Sequence, residues 1–199
     1  MLRPRTVVKI ETVEFSKFSM NIFFLSAKPG RCARWHCDKH VVKMILESTQ
    51  ILYTCQHMNG GTEKVVAEAP ICVSTGKRGY KNHAANHPSV IWARSSMPHY
   101  IWLCWLALAL VKEHMHRFKP KKIHSCNEHL VWLLNNPPPE LIGKNTWLSD
   151  PTPAMPDEYK ISTNSELCYR AYYLGEKGRM LKWTGRHTPH VFIQNQVQN

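Results

Sequence analysis

Four side chains that could transfer protons or attack a carbon atom fall within five positions of the stretch RWHCDKHVVKM, residues 34–44. His36 and His40 are four residues apart, with Asp38 and Lys39 between them. Positions i and i+4 share one face of a helix, so the spacing predicts two neighbouring imidazoles. Imidazole and carboxylate groups suit general acid–base catalysis, so the stretch predicts a catalytic cluster.

A nucleophilic lysine is part of this hypothesis. In a partly desolvated cleft beside imidazoles, Lys39 would have a lowered pKa and could attack a sugar C1′ or a carbonyl carbon. His87, in the distant segment NHAANHP, is the fifth candidate for the cleft. These groups would suit glycosidic cleavage or base modification on DNA or a nucleotide, and such a reaction needs no bound cofactor.

The same histidines could instead bind a divalent metal. His83 and His87 form a second H-x-x-x-H pair, which with His36 and His40 would supply four nitrogen ligands. Neither pair carries the glutamate of the H-E-x-x-H hydrolases, and chance pairs are common in a chain with 12 histidines. A metal-dependent hydrolase is therefore an alternative, with no cofactor in the main prediction.

A purely structural role for the cluster also fits the sequence. Asp38 would be stabilised by the dipole at a helix start, and polar groups are ordinary in a first turn. His40 would then be a core histidine with a satisfied hydrogen bond. The sequence leaves this alternative open.

Basic and aromatic residues alternate in the C-terminal stretch YRAYYLGEKGRMLKWTGRHTPH, residues 169–190. Cations can contact phosphates and aromatic rings can stack on bases, as in proteins that bind single strands or flipped bases. A smaller group lies in NHPSVIWARSS, residues 86–96. The predicted nucleic-acid or phosphate-binding residues are Asn86, Trp92, Arg94, Arg170, Tyr173, Lys177, Lys182, Trp183 and Arg186. Core packing is the alternative for the aromatic members.

The composition favours a folded, polyanion-binding protein. Of 199 residues, 43% are hydrophobic, and 26 Lys and Arg against 14 Asp and Glu give a formal charge of +12. A compact basic domain of this kind usually has a nucleic-acid partner. The motifs G-x-x-x-x-G-K-[S/T] and G-x-G-x-x-G are absent from the sequence, which argues against nucleotide hydrolysis and dinucleotide redox chemistry.

The elements that must position these residues are predicted to be helices. Apolar residues recur at helical spacing over 31–57, Pro88 and Pro98 suit first turns, and the run to about 118 is apolar. Further helices are expected over 125–135 and 165–177. Thr163 and Glu166 match a capping box before the last helix.

A mainly α fold therefore follows: a single-domain helical bundle with a short N-terminal extended segment and a long Pro-rich loop over 136–163. Residues 1–19 are an extension, 20–190 the domain and 191–199 a tail. The longest apolar run, YIWLCWLALALV, is too short for a membrane span. Seven cysteines without C-x-x-C indicate free thiols and an intracellular, soluble protein. The oligomeric state stays open.

Several blocks resemble an uncharacterised protein family of tailed phages and large DNA viruses. They are MNIFFLSAKPGRCARWHCDKHVVKMILESTQIL, NHPSVIWARSSMPHYIWL, AMPDEYK and CYRAYYLGEKGRMLKWTGR. The resemblance covers about residues 20 to 187 and implies a viral origin, with the host cytoplasm or a virus factory as location. It implies no particular activity. A DNA- or nucleotide-directed enzyme is the main prediction, and a non-catalytic nucleic-acid-binding module is the second alternative beside the metal hydrolase.

Overall fold

The computed structural model describes residues 21–193, and within this range the protein is mainly helical, as predicted. The helices are α1 (Pro29–Trp35), α2 (Asp38–Met58), α3 (Thr62–Glu68), α4 (Pro88–Ala93), α5 (Met97–Phe118), α6 (Cys126–Asn135) and α7 (Ser165–Gly175). No strand occurs in the described range, so the segment at 21–26 is an irregular lead-in. The predicted extension 1–19 and most of the predicted tail lie outside the described residues.

Helix α5 is the central element of the core. Its start matches the prediction, since the Ser96 hydroxyl accepts a hydrogen bond from the His99 amide and Pro98 lies in the first turn. Its apolar side, which includes Leu103 and Leu106, is buried against α1, α2, α4 and α6. None of the helices built by residues 21–193 is both long and apolar enough to cross a membrane.

The predicted helix over 31–57 is interrupted at His36 and Cys37. Both residues are extended, with ψ angles of 135° and 162°, and they separate α1 from α2. Contacts from distant segments replace helical hydrogen bonds here: the Cys37 amide donates to the Tyr173 hydroxyl, and the Asp38 amide donates to the Lys182 carbonyl. The prediction that His36 and His40 share one helix is therefore wrong.

The Pro-rich loop is anchored to the start of α5 through His99. The Ser149 amide donates to His99 Nε2 at 3.0 Å, which leaves Nδ1 to donate to the Ser95 hydroxyl at 2.7 Å. The Trp92 indole N–H donates to the Ser149 carbonyl at 2.8 Å and its ring stacks on His99. These bonds explain how a proline-rich segment, whose regular structure is limited to the 3-10 turns Pro139–Leu141 and Asp157–Tyr159, keeps a fixed path across the helices.

Two smaller features differ from the prediction. Asn164, one residue later than expected, caps α7 by accepting from the Leu167 amide, while Glu166 binds the Ala27 amide and the Arg170 guanidinium instead of its own helix start. At the C-terminal end, Phe192 is buried against Tyr173 and Trp183. The folded part of the chain thus extends past residue 190.

A tight turn over residues 70–79 follows α3, a helix that the sequence did not reveal. Ile71 and Arg78 form an isolated antiparallel bridge, and the Gly79 amide donates to the Pro70 carbonyl. Gly79 has a φ of +62°, and a Cβ atom there would lie 2.6 Å from Val65. Glycine is required at this position by both the backbone conformation and the close packing.

Replacing Gly79 with alanine is expected to lower the free energy of unfolding by about 2–4 kcal/mol, since backbone strain adds to a steric clash in the core. Gly76→Ala is the matched control. Gly76 also has a positive φ, +65°, but open space surrounds its Cα, so only the strain of about 1–2 kcal/mol is expected. Urea denaturation measures both variants, and equal losses would contradict the packing argument.

Candidate nucleic-acid interface

Asp38 is the centre of an ionic network rather than a free carboxylate. Its oxygens accept hydrogen bonds from the Thr184 amide at 3.0 Å and the Thr184 hydroxyl at 2.7 Å. Arg117, near the end of α5, donates to the same carboxylate at 3.2 Å. Asp38 thereby ties the start of α2 to α5 and to the C-terminal segment, and its oxygens are occupied by structural partners.

Arg117 connects the rest of this network. Its side chain is 0% exposed and donates to the carbonyls of Arg34 and His36 at 2.9 and 2.8 Å. It also binds Glu113, which receives two further bonds from Arg186. Burial raises the pKa of Glu113, but the hydrogen bonds and charges of the two guanidiniums outweigh burial and lower it. Both acidic residues of this region are therefore neutralised by arginines.

His36 is a fully buried histidine at the end of α1. Its Nδ1 donates to the Cys32 carbonyl at 2.8 Å, while Nε2 is enclosed without a hydrogen-bond partner. Burial lowers the pKa of His36 to about 4, and the charge of Arg117 contributes to the lowering. The imidazole is therefore neutral at neutral pH.

His40 is also neutral and lies 4% exposed on the first turn of α2. Its Nδ1 is hydrogen-bonded to the Tyr173 hydroxyl at 2.6 Å, and its ring stacks on Phe23 with 4.1 Å between centroids. Burial lowers the pKa of His40 to about 3, with smaller contributions from His36, Lys43 and Lys177. A histidine held between aromatic rings and this hydroxyl is a core residue.

Phe23 fills the space that the catalytic hypothesis assigned to a ligand. Besides His40, its ring packs against Tyr172 and Tyr173. Its backbone has a φ of +48°, a conformation that costs a residue with a side chain roughly 1–3 kcal/mol. Two hydrogen bonds from the amides of Ile22 and Phe23 to the Asn21 side chain hold this conformation.

The remaining predicted catalytic residues lie in other surroundings. Lys39 is exposed, so it does not lie in the desolvated cleft that the hypothesis of a nucleophilic lysine requires. The His87 imidazole caps α4 by accepting from the Ser89 amide. His83 bonds through its backbone to Thr54, fourteen residues along α2 from His40 and hence ~21 Å away along the helix axis. The four histidines proposed as metal ligands therefore do not meet.

No group of three or more His, Cys, Asp or Glu side chains that could hold a metal ion occurs in the part of the chain that the structure describes. The pair His83 and His87 cannot join His40 at a metal, because His83 lies beside Thr54, far along α2 from His40. The pair His36 and His40 has no room for a metal, because Phe23 and Tyr173 pack around His40.

The predicted base-stacking aromatics are core residues. Tyr173 is fully buried, and the indole N–H of Trp183 donates to the Trp35 carbonyl at 3.0 Å. Trp92 is buried against the Pro-rich loop. Arg170 pairs with Glu166 and lies over the Trp35 ring. Of the other predicted contacts, Asn86 and Lys182 are exposed, and Arg94 and Lys177 are half-buried.

Three segments that meet through the ionic network form one strongly charged end, called here the basic end: residues 31–43, 112–122 and 177–190. They contain thirteen lysines and arginines but only two acidic residues, Asp38 and Glu113. The rest of the chain carries thirteen lysines and arginines and twelve acidic residues. The exposed cations of the basic end are Arg31, Arg34, Lys39, Lys43, Lys112, Lys119, Lys121, Lys122, Arg179, Lys182 and Arg186.

Comparison with protein-family models, with curated proteins and with solved structures gave no match. A function can therefore be inferred only from the chemistry and placement of the residues. The histidine cluster is largely occupied by structural contacts. The exposed cations of the basic end are the group of polar side chains that the fold leaves most available to a partner.

The sequence prediction missed the residues that assemble the basic end. Arg117 and Glu113 were not singled out, although an arginine four residues after a glutamate in a helix is a signal for an ion pair. Thr184 gave no signal, because its bond to Asp38 spans 146 positions. Lys43 and the cations at 112–122 were counted only in the net charge.

Proposed function

We propose that this protein binds nucleic acid through the basic end, mainly by contacts with backbone phosphates. The observation that carries the proposal is the segregation of charge at one end of the molecule. Eleven exposed cations lie there, and two of them, Lys43 and Arg186, are already paired with the carboxylates of Glu47 and Glu113. An array in which lysines and arginines greatly outnumber carboxylates attracts a polyanion and releases its counterions. The resemblance to proteins of DNA viruses is compatible with such a partner.

Binding without catalysis is the function that the contacts favour over a base- or sugar-directed enzyme. An acid–base catalyst would need His36, Asp38 or His40 to reach a substrate, and each of them is hydrogen-bonded within the fold. The buried positions of Trp183 and Tyr173 also argue against base stacking. We therefore propose binding with little sequence preference, since phosphate contacts carry no direct sequence information.

The test is a triple substitution in the basic end, Lys39→Gln, Lys43→Gln and Lys182→Gln. Wild-type protein is expected to bind a labelled DNA duplex of arbitrary sequence, with affinity falling steeply between about 50 and 200 mM salt. Each lost phosphate contact should reduce the slope of log K against log salt by about 0.9, so the triple variant should lose up to about 2.7 of it. Fluorescence anisotropy measures affinity and slope together.

A second triple variant, Lys64→Gln, Lys144→Gln and Lys160→Gln, serves as the matched control. These exposed lysines lie outside the basic end, and their removal changes the net charge equally. We expect the control to keep nearly the whole salt slope. Equal losses in both triple variants would show that only net charge matters. No binding by the wild type at about 50 mM salt would reject the proposal itself.

A further inference from the structure

A cavity of about 210 Å³ lies between the end of α2, helix α3 and the 70–79 turn, on a part of the molecule that the proposed function does not use. Its surface is almost entirely apolar, although Lys77, Arg78 and Lys81 are among the residues that line it. Long cationic side chains cover apolar surface with their methylene groups while the charge stays in water. The interior of the cavity therefore suits a hydrocarbon, and the charges lie at its rim.

The polar side chains of the cavity wall have their hydrogen-bond partners within the protein. The His57 imidazole donates from Nε2 to the Tyr80 carbonyl at 2.9 Å and accepts at Nδ1 from the Thr62 hydroxyl at 3.2 Å. The Arg78 guanidinium donates to the Ala69 carbonyl at 2.7 Å. Within residues 21–193, none of the side chains that line the cavity has a buried polar atom without a partner. A hydrocarbon can therefore enter without leaving a polar group of the wall unpaired.

The 70–79 turn gives one side of the cavity a defined shape. The Cys72 amide donates to the Lys77 carbonyl at 2.8 Å, and the Gly79 amide donates to the Pro70 carbonyl at 2.9 Å, so the two sides of the turn are tied together. The Cys72 thiol, which is free as predicted for all seven cysteines, lies 3.2 Å from the Ser74 hydroxyl. A cavity that is formed before the ligand arrives reduces the ordering cost of binding.

The volume of the cavity sets the size of the ligand. An engineered apolar cavity of about 150 Å³ binds benzene. At about 210 Å³, the present cavity has room for a chain of about six carbon atoms. Val66 lines the cavity and is 66% exposed, so one end of such a chain can remain in contact with water.

The charges at the rim favour an anionic end group. Lys77 and Lys81 are exposed, and neither forms a salt bridge within residues 21–193. No carboxylate lines the cavity, and the sequence contains no Asp or Glu between Glu68 and Glu113. A ligand carboxylate at the rim would therefore meet two unpaired cations, each contributing modestly because the contact is exposed to water.

We propose that the cavity binds a small hydrocarbon carboxylate of about six carbon atoms, with its chain inside the cavity and its carboxylate beside Lys77 and Lys81 at the rim. Burial of the chain supplies most of the affinity, about fourfold for each CH₂ group removed from water. The two lysines select an anionic end group over a neutral or cationic one. Since this site shares no residue with the basic end, the ligand leaves the phosphate contacts of the proposed function unchanged.

The experiment titrates the full-length protein with hexanoate, hexanol and hexylamine, which share one chain and differ in the end group, and measures affinity by isothermal titration calorimetry. We expect hexanoate to bind with a Kd of about 1 mM or below, hexanol to bind about three- to tenfold more weakly, and hexylamine to bind most weakly. Butanoate, shorter by two CH₂ groups, should bind about fifteenfold more weakly than hexanoate. In two-dimensional NMR spectra, hexanoate should shift the amide signals of Val66, Gly76 and Gly79.

Two double variants distinguish this site from the basic end. Lys77→Gln with Lys81→Gln should weaken hexanoate binding about three- to tenfold and leave the binding of hexanol and of DNA unchanged. The matched control, Lys39→Gln with Lys182→Gln, removes the same charge from the basic end. It should weaken DNA binding and leave hexanoate binding unchanged.

The titrations of the wild type need no variant, so the test holds even if a substitution impairs folding. No binding of hexanoate at about 10 mM would overturn the proposal. Equal affinities for hexanoate and hexanol would do the same, because the lysines would then select no end group. So would NMR shifts confined to the basic end, or an equal loss of hexanoate affinity in both double variants, since the carboxylate would then be a general counterion of the lysines.

Discussion

Replacing Arg117 with methionine is expected to lower the free energy of unfolding by about 3–5 kcal/mol, because the change removes the cation beside Asp38, one of the two cations at Glu113, and the donors to two buried carbonyls. Arg117 donates to the carboxylates of Asp38 and Glu113 and to the carbonyls of Arg34 and His36. Methionine fills much of the same volume but has neither a positive charge nor a hydrogen-bond donor. The loss therefore reports on unpaired polar groups more than on a cavity.

Urea denaturation at pH 7 gives the difference in unfolding free energy. Arg179→Met is the matched control: Arg179 is exposed at the same end of the molecule, and its replacement should change stability by no more than about 0.5 kcal/mol. Arg117→Lys keeps the charge but loses the planar fork that reaches two carbonyls, so it should lie between wild type and methionine. An Arg117→Met variant as stable as the control would show that the ionic network is dispensable.

The local part of the fold could be predicted from sequence because its signals are local. The start of α5 depends on Ser96 and Pro98, and the break after α6 depends on the run of prolines at 137–139. The interruption at His36 could not be predicted, since it depends on Tyr173 and Lys182, which are more than a hundred residues away. Helix α3 is only seven residues long, too short for a clear periodic pattern.

The candidate site shows the same limit more strongly. The residue types at 36–40 suggested proton transfer, but the type of a residue does not determine which hydrogen-bond or packing partner its side chain has in the fold. The Asp38 carboxylate accepts hydrogen bonds from Thr184 and Arg117, and the Phe23 ring stacks on the His40 ring. The excess of cations was visible in the composition. Its concentration at one end follows from the way the ionic network gathers three distant segments.

Acidification below about pH 6.5 is expected to destabilise the protein through its buried histidines. The pKa of His36 is lowered to about 4 and that of His40 to about 3, mainly by burial, whereas a histidine in an unfolded chain has a pKa of about 6.5. Below pH 6.5, His36 and His40 bind protons in the unfolded chain but stay neutral in the folded protein. The stability that these neutral histidines contribute is complete above pH 6.5 and is lost as the pH falls toward 4 and 3.

The slope of this loss can be predicted. Each histidine reduces the unfolding free energy by about 1.4 kcal/mol for each pH unit below 6.5, so His36 alone contributes a loss of about 3 kcal/mol by pH 4. Burial also lowers the pKa of five further histidines, which adds to the slope: His87, His99, His114, His124 and His129. The arginines lower the pKa of Glu113 below 4.5, so its contribution disappears only at more acidic pH.

Urea denaturation from pH 7.5 to pH 5 separates these contributions, because in that window histidines titrate and Glu113 does not. His36→Gln and His40→Gln should each flatten the dependence of unfolding free energy on pH by up to about 1.4 kcal/mol per unit, whatever they do to stability at pH 7.5. His187→Gln, which removes a histidine at an exposed position, is the matched control. If the two variants kept the wild-type slope, His36 and His40 would have to be protonated within the folded protein, which their burial excludes.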